Sequence, residues 1–205
     1  MKLWFPFSND GNRHEYCISC GEESIDRLEG DRTLSFLCRE CGMHSDRSIL
    51  ITPEMNWWID SDDEYWHESS GVLVRDYQGR FLFFRRTMYP CGLTVPAGHV
   101  GTKERAHRAA IRELEEEVGI RVRSLKPVAA MNIVGDSCSA GSDSHRWHVF
   151  LCAYEGPEEV EVSEEGKDAT WLALDDALTE DLTFATRKIL EYCLARLRHE
   201  EGLFV

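Results

Sequence analysis

The stretch Gly98–Ile120, GHVGTKERAHRAAIRELEEEVGI, restricts the fold of this chain more than any other segment. Ala106, Ala109, Ala110 and Leu114, with the charged residues among them, are good helix formers, and Gly119 is a natural helix stop. Thr94-Val95-Pro96-Ala97-Gly98 leads into it, so the segment reads as a strand–loop–helix unit. On that helix Glu113, Glu116 and Glu117 share one side, because positions i, i+3 and i+4 are neighbours. Ala110, Ile111, Leu114 and Val118 form the adjoining apolar stripe, with Arg108, Arg112 and Glu115 further round. The carboxylates therefore border the core. Like charges at this spacing destabilise a helix unless a cation offsets them. Clustered hard oxygen ligands suit Mg²⁺ or Mn²⁺, above all beside a phosphorylated substrate.

Around this unit the pattern from Ser69 onward is mixed α/β. Gly71–Arg75 reads as a strand, Asp76–Gly79 as its turn, and Arg80–Arg85 as the hairpin partner. Arg121–Val134 reads as extended, with Pro127 marking an edge or break. DSCSAGSD at Asp136–Asp143 is a polar loop of small residues, followed by a strand at His145–Tyr154 and a short one at Ala169–Leu174. Thr183–Arg198 has the pattern of an amphipathic helix, with Phe184, Leu190, Cys193, Leu194 and Leu197 expected inward.

The N-terminal part follows a different rule. Cys17-Ile18-Ser19-Cys20-Gly21 and Cys38-Arg39-Glu40-Cys41-Gly42 form two C-x-x-C-G knuckles, in which glycine lets the backbone turn so that both sulfurs face one ion. Four thiolates complete a tetrahedral Zn²⁺ site with no open position, a structural arrangement. Residues 13–50 are read as a zinc ribbon, with 32–37 alternating like a strand that feeds the second knuckle. Residues 1–12 form an aromatic lead-in. Residues 51–68 form an acidic, aromatic connector whose tryptophans are expected to pack the ribbon against the main domain, residues 69–205.

Eight cysteines in two close pairs and four singles fit metal binding in a reducing cytoplasm better than a disulfide framework. The start of the chain has no signal-peptide pattern, and no stretch approaches the length of a membrane span. A net charge of −14 argues against nucleic acid as a partner. Between Arg13 and Arg47 five arginines face eight acidic residues, so the ribbon has no basic footprint either.

Read as G-x5-E-x7-R-E-L-x-E-E-x-G-I, the segment Gly98–Ile120 resembles the signature of the Nudix hydrolases at every fixed position. The resemblance covers roughly residues 69–200. It implies an α/β fold, an α/β/α sandwich around a mixed sheet. It also implies hydrolysis of a pyrophosphate bond in a nucleoside diphosphate linked to another moiety, by water that a divalent metal activates. Carried onto this sequence, the resemblance makes Glu116 and Glu117 the main Mg²⁺ or Mn²⁺ ligands. Glu113 becomes a further ligand or base, the Gly98 carbonyl an added oxygen ligand, and Arg112 the residue that orients the glutamates. Glu104 serves the loop–helix structure. Glu165, in a loop ahead of Trp171, is a candidate extra ligand or general base. Arg85 and Arg86 are candidates to clamp substrate phosphates, with ordinary surface arginines as the alternative. His99 and Cys91 are read as loop residues.

A zinc ribbon ahead of such a domain is similar to the layout of the NADH pyrophosphatases. Their Ser-Gln-Pro-Trp-Pro-Phe-Pro-type segment is missing, and Pro127–Val134 stands in its place. Two alternatives stay open beside the general reading: an NADH/NAD pyrophosphatase, and a nucleotide-sensing or scaffold module in which the ribbon binds a partner. The expected partner is a small nucleoside diphosphate derivative, with homodimerisation open.

Overall fold

The computed structural model describes residues 1–30 and 34–200, with side chains of the last helix described as far as Leu194. In chain order the elements begin with β1 (His14–Cys17), β2 (Ile25–Glu29), β3 (Leu34–Cys38), β4 (His44–Ser45) and β5 (Ser48–Ile51). The main body follows with β6 (Trp57–Ile59), β7 (Tyr65–Asp76), β8 (Phe81–Arg86), β9 (Gly92–Thr94), β10 (Ala97–His99) and α1 (Ala106–Val118). It closes with β11 (Lys126–Val134), β12 (Ser144–Tyr154), β13 (Gly166–Leu172), α2 (Leu174–Ala177) and α3 (Phe184–Glu200).

Strands β6–β13 form one eight-stranded sheet whose spine runs β11-β12-β7-β8-β13. The β7–β12 pairing is parallel and the others are antiparallel, so the sheet is mixed. Side chains alternate across it with period two. Val72, Val74, Leu82 and Phe84 face α1 and pack on Ala110, Leu114 and Val118. Leu73, Phe81 and Phe83 face the other way and pack on Ile189, Leu190 and Cys193 of α3. Two helices on two faces of one mixed sheet make the α/β/α sandwich. Pro127 falls in the edge strand β11, next to a register shift between Pro127 and Ala129, where its missing N–H costs no central ladder bond.

The N-terminal part has its own small sheets, β1-β5 and β2-β3-β4. Its knuckles bring Cys17 Sγ to 3.6 Å from Cys41 Sγ, and Cys20 Sγ to 3.6 Å from Cys38 Sγ. Ligating atoms of all four cysteines lie within 4.8 Å of one another, a cluster that could hold zinc. The N–H groups of Gly21 and Gly42 donate back to the carbonyls of Cys17 and Cys38, closing both turns. Phe5, Tyr16, Ile49, Ile51 and Tyr65 share a third apolar cluster, against which Trp57 packs.

Three expectations need correction. The strand expected from Gly71 begins at Tyr65 and runs unbroken through residue 69, so the end of the expected connector is already inside the main sheet. Backbone pairing of β6 with Tyr65–His67 produces this extension. Phe184 is 44% exposed, because α3 turns Ala185, Ile189, Leu190 and Cys193 inward instead. Ala169–Leu174 divides between β13 and the start of α2. Of the other expectations, Arg32 and Thr33 lie outside the described residues, and Leu197 lies outside the described side chains.

Candidate active site

The strand–loop–helix unit places the signature residues around one cleft. β10 pairs with the middle of β7, Gly98 opposite Ser70, and the chain then enters α1, which lies on β7 and ends at Gly119. The helix buries Ala109, Ala110, Leu114 and Val118, and with them Glu117, a carboxylate only 5% exposed. Glu117 faces back toward β10, where the Ala97 N–H donates to its Oε2 at 2.7 Å. Glu113 lies against Gly98 so closely that a Cβ at position 98 would sit 2.1 Å from its Oε1. Only glycine leaves room for that approach.

Arg112 is the hub of the loop–helix junction. Its Nε and Nη2 donate to the two oxygens of Glu104 at 3.1 and 3.0 Å, and Nη2 also reaches the His99 carbonyl at 3.1 Å. Its Nη1 donates to Glu113 at 2.5 Å and to Glu116 at 3.1 Å. The Glu104 Oε2 accepts a second bond from the Gly101 N–H at 2.9 Å, so Glu104 ties the loop to the helix. Arg112 thus does not lie away from the carboxylates, as its helical angle suggests. Its long side chain curls back over them.

A cavity of about 460 Å³ opens in front of these groups, lined by Gly98, Arg112, Glu113, Glu117, Arg86 and Glu165 among others. That is within the range of ligand sites, about 300–1,000 Å³. Glu165 sits in the turn before β13, held where its carbonyl accepts from the Thr87 N–H at 3.1 Å. Arg86 belongs to the lining and Arg85 does not, which corrects the expectation of a paired clamp. Successive strand residues point to opposite faces, so the two arginines cannot serve one site. The buried Arg86 Nε has no hydrogen-bond partner. Glu116 is 59% exposed and lies outside the lining.

Burial raises the Glu117 carboxyl to about 8; the Ala97 N–H opposes the shift, Glu113 adds to it, Arg86 opposes it and Glu165 adds to it. Burial also raises Glu113, with Arg112 opposing. With Arg112 shared among Glu104, Glu113 and Glu116, the two buried carboxylates leave negative charge in a desolvated wall that these bonds do not fully offset. The residues fit a divalent cation, which would offset their charge and their desolvation together. Oxygen donors of this kind match Mg²⁺ or Mn²⁺.

The same cavity contains residues that the sequence reading passed over. His99 is no plain loop residue: with His67, Cys138 and His145 it forms a second group whose ligating atoms lie within 4.8 Å of one another. Among the lone cysteines and histidines only spatial proximity distinguishes these four, and no local spacing announces it.

A family profile described as the NUDIX domain matches residues 66–193. The chain belongs to the Nudix family. Several solved structures share its fold. A MutT NUDIX hydrolase from Burkholderia pseudomallei is 28% identical, with 62% of this chain and 98% of that one covered and a TM-score of 0.52. An Ap4A hydrolase from C. elegans is 25% identical, covering 64% and 98% with a TM-score of 0.53. A MutT protein from Methanosarcina mazei Go1, at 22% identity over 68% and 97%, has a TM-score of 0.55 and shares the fold. A search among curated proteins finds no match. As a Nudix-type protein the chain is a pyrophosphohydrolase. Among the described residues no helix is long and apolar enough to cross a membrane.

Proposed function

We propose that this Nudix protein hydrolyses the pyrophosphate bridge of a nucleoside diphosphate joined to a second group, with a divalent cation as cofactor, in the cytoplasm. The observation that carries the reading is the burial of Glu113 and Glu117 against Gly98 and Ala97, in a cavity that Arg86 and Glu165 also enter. Glu116 and Glu117, with Glu113 and the Gly98 carbonyl, would hold Mg²⁺ or Mn²⁺. When bound, such an ion lowers the pKa of water and neutralises phosphoryl oxygens.

The chain's own residues supply the rest. Arg86, which lines the cavity, draws the substrate phosphates toward the glutamates through its guanidinium charge. Arg112 and Glu104 keep the loop and helix in register, so that the glutamate oxygens meet the substrate in a fixed geometry. Glu165 lines the same cavity and accepts the proton that leaves the attacking water. The four ribbon cysteines hold a structural Zn²⁺.

Among the structural neighbours, one is named as an Ap4A hydrolase and another was solved with ADP ribose, which supports nucleotide derivatives as the substrate class. The test is a panel of NADH, ADP-ribose, dinucleoside polyphosphates, nucleoside triphosphates and nucleotide sugars, assayed with Mg²⁺, with Mn²⁺ and with chelator. Cation-dependent release of a mononucleotide product is expected from at least one, and Glu117→Gln should lower that turnover by orders of magnitude. Tight nucleotide binding without turnover across the panel would instead establish a sensing module.

A further inference from the structure

Next to the glutamates, His67 of β7, His99 of β10, Cys138 of the β11–β12 loop and His145 of β12 converge on one point. His67 Nδ1 is 3.3 Å from His99 Nε2 and 3.5 Å from Cys138 Sγ. A tetrahedral zinc ion, with bonds of about 2.0 Å to nitrogen and about 2.3 Å to sulfur, requires edges of about 3.3 Å between nitrogens and about 3.5 Å between nitrogen and sulfur. Both measured separations fit those edges. The ribbon sulfurs, 3.6 Å apart, meet the corresponding sulfur–sulfur edge of about 3.8 Å almost as well.

We propose that His67, His99, Cys138 and His145 form a second, structural Zn²⁺ site, distinct from the ribbon and from the glutamate cluster. The fold supports the cluster from outside. His67 and His145 are register partners in the parallel β7–β12 pair, so the sheet itself sets their spacing. His145 turns Nδ1 toward Asp136, 3.1 Å from Oδ2, which leaves Nε2 to face the cluster. The Trp147 Nε1–H donates to that same Asp136 oxygen at 2.7 Å. That carboxylate lies at ion-pair distance behind the ring, without an aligned hydrogen bond, on the side where the outer support of a metal-bound histidine is found.

The donor set selects the ion. Three imidazoles and a thiolate favour Zn²⁺ and disfavour Mg²⁺, which seeks the oxygen ligands next door. Cys138 occupies the fourth position that a catalytic zinc would leave to water, so the site is closed. Its consequence is mechanical. His99 directly follows Gly98, and its carbonyl accepts from Arg112, so the ion fastens the signature loop to β7, to β12 and to the Cys138 loop.

The test is zinc content and ligation of the intact protein as isolated. Two zinc ions per chain are expected after dialysis, and X-ray absorption should report five sulfur to three nitrogen ligands, summed over the two clusters. Cys138→Ser and His145→Asn should each remove one ion and leave an all-sulfur signal. If the ribbon reading alone failed, one ion with mainly nitrogen ligands would remain in the wild type. One ion with sulfur ligands only would overturn the proposal. Alkylation with iodoacetamide and peptide mapping provide a check that needs no variant. Cys138 should be protected while the exposed Cys91 reacts; rapid labelling of Cys138 in the zinc-loaded protein would overturn the proposal and establish a free nucleophilic thiol.

Discussion

Glu113 occupies the space that a side chain on Gly98 would need: an added Cβ would lie 2.1 Å from its Oε1 and 2.2 Å from its Cδ. The Glu113 carboxylate is also fixed from the other side by Arg112 Nη1. Gly98→Ala must therefore push Glu113 out of position or open the loop. Since a displacement of about 1 Å can cost about 100-fold in rate, turnover should fall by about that much. The thermal midpoint should change far less, because Gly98 belongs to none of the three apolar clusters. Steady-state kinetics beside a melting curve checks this, and retained turnover would mean that Glu113 has no role there.

Arg112 makes bonds that a lysine cannot copy. Its planar fork serves Glu104 through two nitrogens while a third reaches Glu113 and Glu116. Arg112→Lys keeps the charge and loses the fork. The expected loss is about 10–100-fold in activity, with weaker apparent affinity for Mg²⁺, as for other residues that orient ligands from behind. Glu104→Gln, which still accepts from the Gly101 N–H, should cost less. A cation titration of activity in each variant separates these effects.

The contrast between Glu117 and His67 explains what the sequence disclosed. Glu113, Glu116 and Glu117 lie within five residues on one helix, so helical periodicity alone places them together. The ribbon cysteines come as two local pairs, and each pair declares itself. His67, His99, Cys138 and His145 are brought together only by sheet pairing, β10 on β7 and β7 beside β12, and no window of the sequence contains that register. Phe184 failed for a related reason. Apolar character suggested burial, but its position at the start of α3 leaves it at the edge of the packed face, with Lys188 Nζ 5.7 Å from the ring centroid. Arg85 and Arg86 were indistinguishable as neighbours until the pleat of β8 separated them.

Arg86 should act on substrate binding. It lines the cavity, and it stands close enough to Glu117 to influence its ionisation. Arg86→Ala removes a charged donor worth about 1.5–3 kcal/mol, equivalent to about 10–100-fold in KM. Arg85→Ala, outside the lining, should change KM little. If the two variants behaved alike, the assignment of Arg86 to the phosphates would fail.

Arg47 links the ribbon to the cleft. Its Nε donates to the Cys138 carbonyl at 3.0 Å and its Nη2 to the Ser142 carbonyl at 3.1 Å, while Nη2 also pairs with Asp143. Its guanidinium lies 5.8 Å from the centroid of Tyr89, which lines the cavity. Backbone bonds from Ser48 and Leu50 to the carbonyls of Ser139 and Ala140 continue the same seam. Arg47→Ala strands partly buried acceptors, so the chain should lose about 1–3 kcal/mol of stability. In urea this appears as a lower midpoint with an unchanged slope. Because the loosened loop carries Cys138 and borders the cavity, KM should rise as well. Arg47→Lys, which restores charge and one donor, should recover part of the stability and less of the KM. A variant with an unchanged midpoint and unchanged KM would show that the ribbon rides on the catalytic body without supporting it.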